Sequence, residues 1–71
     1  MTIDYLIAFQ DHYNLSDITI QNIYRFINVN SKSLIDDYDD IKYNPLNDCF
    51  ELYKDEIKKL AIPRTMVERD I

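Results

Sequence analysis

Apolar residues recur at intervals of three and four along almost the whole chain, and no other feature constrains the fold as tightly. Ile3, Leu6, Ile7 and Phe9 form one such series, with Thr2 placed to cap a helix over Ile3 to about Tyr13 and Asn14 to end it in the left-handed conformation asparagine tolerates. Thr19 is the expected N-cap of a second helix carrying Ile20, Ile23, Tyr24 and Ile27 on one face, closed by Asn28. Ser31 then starts a third, with Leu34, Ile35, Tyr38 and Ile41 inward. Asn44-Pro45 is the clearest start signal, because asparagine caps and proline at the first helical position gives up no hydrogen bond. Leu46, Cys49, Phe50, Tyr53, Ile57 and Leu60 follow at near-heptad spacing, Glu51/Lys54 and Asp55/Lys59 pair on the outer face, and Pro63 stops the run. Thr65 and Glu68 match a capping box for a short last helix. A strand over residues 18–29 has β-branched residues in its favour but the wrong apolar spacing.

The expectation is therefore an all-α fold, a small bundle of four or five helices in one domain over residues 1–71. Residues 1–43 form a helix-turn-helix-like part, 45–62 a C-terminal helix and 63–71 a short tail. A chain of 71 residues buries only about 60% of its unfolded surface, and its core supplies roughly 3–5 kcal/mol. One cysteine permits no internal disulfide, and no Cys/His cluster offers a structural metal site. Packing of the 46% apolar residues must suffice, with help from a partner chain or a homodimer through the C-terminal helix. No apolar run approaches the length of about 20 residues that spans a bilayer. The opening MTIDYLIAF has no basic region and contains Asp4, so a cytoplasmic protein with no membrane association is expected. The lack of glycine and the wealth of Ile, Asn, Asp and Tyr suggest an AT-rich coding sequence of a low-GC bacterium or its phage.

Residues 18–41, ITIQNIYRFINVNSKSLIDDYDDI, resemble the helix-turn-helix of TetR-type and phage-repressor-type regulators. The matches are Thr19, Ile20 and Ile23 in the first helix, Asn28 and Val29 in the turn, and Leu34 and Tyr38 in the recognition helix. Tyr24 stands where such regulators carry a small residue at the helix crossing, and Asn28 where they carry the turn glycine. The resemblance implies a recognition helix whose opening residues, Asn30, Lys32 and Ser33, would read DNA.

The charge argues against that use. Acids outnumber bases 13 to 8, and seven of the acids against three of the bases lie in residues 1–45, where a DNA-binding module would carry its basic footprint. Asp36 and Asp37 would enter the groove, with Asp39 and Asp40 near the backbone. At an effective dielectric near 20, like charges about 4 Å apart repel by about 4 kcal/mol, and no basic cluster offsets it, Arg25 and Lys42 being isolated. One reading makes DDYDD a solvated face that keeps the protein soluble. The sharper one makes it a contact for a basic protein surface, where complementary charge speeds encounter and sets specificity. The exposed aromatics expected beside it are Phe26 and Tyr43.

In size, acidity and the 18–41 pattern, the chain resembles small phage antirepressors of the lactococcal modulator-of-repression kind. That resemblance implies a protein-binding regulator that captures a repressor through its DNA-binding domain. The alternatives are a small DNA-binding regulator using Asn30, Lys32 and Ser33, and an anti-CRISPR-like inhibitor using the acids to mimic nucleic acid. A calcium loop beginning at Asp36 would need a glycine at its sixth position and a glutamate at its twelfth, which is Asn47. His12 has no nucleophile beside it in any catalytic motif, Cys49 falls on the apolar stripe of the expected fourth helix, and phosphate-cradling loops need glycine. No enzyme, cofactor or metal is expected.

Overall fold

The computed structural model describes residues 1–68. Two helices, α1 (Ile3–Tyr13) and α2 (Asp17–Ser31), precede a single 3-10 turn at Ile35–Asp37. Three strands follow, β1 (Asp40–Asn44), β2 (Cys49–Lys54) and β3 (Ile57–Pro63), and then a four-residue helix, α3 (Arg64–Val67). The strands form an antiparallel sheet in the order β1-β2-β3. The fold is α+β, which overturns the all-α bundle of four or five helices.

The first helix forms as its ends dictate. Thr2 Oγ1 accepts the Tyr5 N–H at 3.2 Å, and Asn14 closes it with φ 54°. α2 starts earlier than expected because Ser16, not Thr19, is its cap: Ser16 Oγ accepts the Thr19 N–H at 3.2 Å, and Thr19 is buried one turn in. It also ends later. Neither glycine nor proline interrupts Asn28-Val29-Asn30, so the helix runs through the position of the supposed turn and stops at Lys32, whose φ is 48°. One helix thus covers most of the stretch that resembled a helix-turn-helix.

The expected recognition helix is absent. Asp37 reaches back to accept the Leu34 N–H at 2.7 Å and Tyr38 is extended, so only one 3-10 turn forms before β1. Ile35, Tyr38 and Ile41 are buried as expected, whereas Leu34 is exposed.

The expected helix over 45–62 is two hairpins, which removes the element on which a dimer seam was placed. Asn44 does act as a cap, but of a turn: its Oδ1 accepts the Leu46 N–H at 3.0 Å, and Pro45 fits the turn as readily as a helix start. The four residues between β1 and β2 end at Asp48, φ 55°. Between β2 and β3 only Asp55 and Glu56 lie outside the paired residues Lys54 and Ile57, and both have positive φ, as a type I′ turn requires. A bulge at Leu52/Tyr53 shifts the β2–β3 register.

One face of the sheet packs on the helices. Phe9 meets Phe50 edge-on at 5.8 Å, and Tyr13 meets Tyr43 at 5.6 Å. Leu6, Ile23, Ile27, Phe50, Leu52, Ile62 and Val67 are fully buried, each worth about 1.5–3 kcal/mol of transfer free energy. Asn22 Nδ2 donates to the Val67 carbonyl at 2.9 Å and holds α3 on α2. The short last helix begins at Arg64, ahead of the capping-box position expected for Thr65, and the last three residues of the tail expected over 63–71 lie outside the described ones. No helix among the described residues is long and apolar enough to cross a membrane.

Candidate functional site

The four aspartates of DDYDD do not share a helix face. Asp36 and Asp37 lie on the 3-10 turn, Asp39 on the connector and Asp40 at the start of β1. Three of them have structural partners. Asp37 holds the Leu34 N–H. Asp39 Oδ2 accepts the Asp55 N–H at 2.8 Å, its Oδ1 lies 3.8 Å from Lys54 Nζ, and its own N–H donates to the Tyr53 carbonyl at 2.7 Å. Asp39 thereby pins the β2–β3 turn against the entry to β1. Asp40 accepts the Tyr5 hydroxyl and the Ile41 N–H, and its second oxygen is 3.9 Å from Lys42 Nζ. The bond to Asp40 raises the Tyr5 pKa, with burial adding to it.

The fold adds two acids that were not anticipated. The turn residues Asp55 and Glu56 join Asp39, Asp40, Lys42 and Tyr53 around a cleft of about 400 Å³. Four carboxylates thus meet Lys42 and, through Asp39, Lys54 at this cleft; Asp36 and Asp37 precede β1 on the 3-10 turn and are not among its lining residues. Those two lysines form exposed pairs, which offset little. Asp36, Asp55 and Glu56 make no side-chain hydrogen bond or ion pair among the described residues. The signal for these additions was a three-residue charged step, Lys54-Asp55-Glu56, between Leu52-Tyr53 and Ile57; with glycine in it, the step would have read as a hairpin turn.

The other anticipated residues lie elsewhere. Tyr43 points inward, edge-on to Tyr13 and tilted against Phe50, with the Arg64 guanidinium 5.1 Å from its ring centre. Its hydroxyl donates to Asp48 Oδ1 at 2.6 Å, which raises its pKa against the opposing pull of Arg64. Phe26 is half-buried beside a second cleft, of about 440 Å³, where Ile18, Val29 and Met66 are exposed between α2 and α3. That cleft shares no lining residue with the acidic one. Of the three residues read as DNA contacts, Asn30 Nδ2 donates to the Phe26 carbonyl at 3.1 Å and the Ser33 and Tyr38 hydroxyls are 2.8 Å apart. Lys32 alone has an exposed side chain without such a bond among the described residues.

Glu51 is the most deeply placed acid, at 5% exposure in the middle of the open sheet face. It accepts from Asn44 Nδ2 at 3.2 Å, the Tyr53 hydroxyl at 3.0 Å and Lys58 Nζ at 3.4 Å. The Asn44 bond is the largest influence and lowers its pKa, the Tyr53 and Lys58 bonds add to it, and burial opposes them. The same contact raises the Tyr53 pKa. With every partner engaged, Glu51 reads as a structural anchor of the sheet.

His12 is exposed and lies edge-on to Tyr13 at 4.6 Å. Cys49, expected on an apolar stripe, opens β2 half-buried with its Sγ 3.4 Å from the Asn47 carbonyl. Among the described residues no group of three or more His, Cys, Asp or Glu side chains is arranged to hold a metal ion. No protein-family model, no curated protein and no solved structure matches the chain.

Proposed function

We propose that this chain is a cytoplasmic, non-catalytic protein-binding regulator whose acidic end captures a basic protein surface. The partner we assign is the DNA-binding domain of a repressor, whose capture relieves repression. The observation that carries the reading is the convergence of Asp55 and Glu56 with Asp39 and Asp40 around one cleft, with Asp36 and Asp37 on the turn that leads into it. Carboxylates gathered from separate elements make a field that a basic surface meets at long range, and such fields act chiefly on association rate and specificity.

Asp37, Asp39 and Asp40 also hold the backbone together, so reversing them would confound binding with folding. The clean test reverses Asp36, Asp55 and Glu56 to lysine. Association with the captured repressor should slow by about tenfold at low salt and the difference should shrink as salt rises. Unchanged association at low salt would rule the acidic end out. An anti-defence protein mimicking nucleic acid would use the same carboxylates on another basic surface, and co-purification from a lysate tells the two apart. Nanomolar binding of the chain to its own promoter in a low-salt gel shift would favour the direct DNA reading instead.

A further inference from the structure

A groove of about 420 Å³ runs between α1 and β1. Asp40, Ile41 and Lys42 all line it, although the side chains of consecutive strand residues alternate between faces. Three neighbours line one groove together only where a strand presents its edge. β1 pairs with β2 alone, so alternate backbone N–H and C=O groups along its other edge have no strand partner, although the Ile41 N–H already bonds Asp40 Oδ1 at 2.8 Å. The opposite wall is the α1 ridge Tyr5, Ala8 and His12, in which Ala8 supplies the space. The ends are stopped by the Tyr5–Asp40 bond and by Tyr13 edge-on to Tyr43. The ridge is about 10 Å long, the length of about three residues of extended chain.

We propose that this groove takes an extended peptide segment of a partner as an added strand beside β1, carrying small apolar side chains inward and basic ones outward. Backbone pairing to the strand edge would give affinity and the alternating side chains specificity. The inward side chains would meet Phe9 and Ile41 beneath Ala8. The rims are acidic: Asp4 and Asp11 are exposed on α1 in line with Ala8, and Asp40 stands on the strand. Lys42, the cation on that edge, is engaged by Asp40 at 3.9 Å and lies 4.8 Å from the Tyr53 ring centre. The groove, about three residues long, suits a single extended segment. The basic character of the segment rests on the acidic-end reading; the strand geometry does not.

The test is an amide-shift titration of the labelled protein with a short capped peptide of alternating valine and lysine. Shifts should concentrate at Asp40–Lys42 and Ala8–His12. The same peptide N-methylated at alternate amides keeps its charge and should bind at least about tenfold more weakly. Ala8→Trp, a change at an exposed helix position, should fill the groove and abolish the shifts while leaving the circular dichroism unchanged. Equal binding of the N-methylated peptide, or shifts centred on Asp36, Asp55 and Glu56, would overturn the proposal. So would a wild-type dimer in sedimentation that Ala8→Trp dissolves, since the occupant would then be a second copy. The titration decides the groove whether or not a repressor is captured, so the two readings fail separately.

Discussion

Replacing Glu56 by glycine should stabilise the protein. Glu56 is the second residue of the Asp55-Glu56 turn, with φ 65°, and Asp55 before it has φ 51°. A left-handed backbone costs a residue with a Cβ about 1–2 kcal/mol, and aspartate tolerates it better than glutamate does. Glycine removes that cost but gives the unfolded chain extra freedom worth about 0.5–1 kcal/mol. The net gain is about 0.5–1 kcal/mol, a rise of about 2–8 °C in Tm for a domain of this size. Thermal unfolding by circular dichroism measures it, with Glu56→Ala as the control. Both substitutions remove a charge from the acidic end, but alanine keeps its Cβ. If alanine stabilised as much as glycine, relief of repulsion and not backbone conformation would be the cause. If Glu56→Gly were neutral or destabilising, the type I′ assignment of the turn would be refuted.

Two further outcomes follow from side chains already described. The Glu51 pKa is lowered in the fold, chiefly by Asn44, so its ionised form stabilises the protein above the ordinary glutamate value and that contribution disappears as pH falls through the lowered one. Urea midpoints of wild type and Glu51→Gln should therefore differ at neutral pH and converge through the carboxylate range; a gap that persisted in acid would refute the assignment. Asp39→Ala should remove the bond to the Asp55 N–H, worth about 1 kcal/mol, and speed hydrogen exchange of the amides flanking the turn about fivefold. Unchanged exchange with lost partner capture would instead make Asp39 a contact residue.

The first half of the chain was legible because its signals are local. Thr2 and Asn14 bound α1 as read, and Ile23 and Ile27 are core residues of α2 as read. Ser16 displaced Thr19 as the cap, since a hydroxyl in either position can accept an N–H a few residues ahead and only the observed helix start selects between them. The second half misled through a coincidence of spacing. Phe50, Tyr53, Ile57 and Leu60 stand three, four and three apart like a helix stripe, yet Ile57 is exposed at the turn and Tyr53 faces outward to Glu51. The real inward sets are Phe50 with Leu52 and Leu60 with Ile62, too short to reveal a period of two. Neither turn contains glycine, the usual mark of a hairpin.

The acidic segment shows the same division. That Asp36, Asp37, Asp39 and Asp40 are unsuited to phosphate, and that Ile35, Tyr38 and Ile41 are buried between them, could be read from residue types alone. That three of those carboxylates hold backbone amides, and that Asp55 and Glu56 return from across the sheet to join Asp39 and Asp40, could not. Charge and hydropathy belong to each residue wherever it lies. The company a side chain keeps depends on strand pairing between distant segments, and here that pairing sets Tyr43 beside Phe50, against which Phe9 packs.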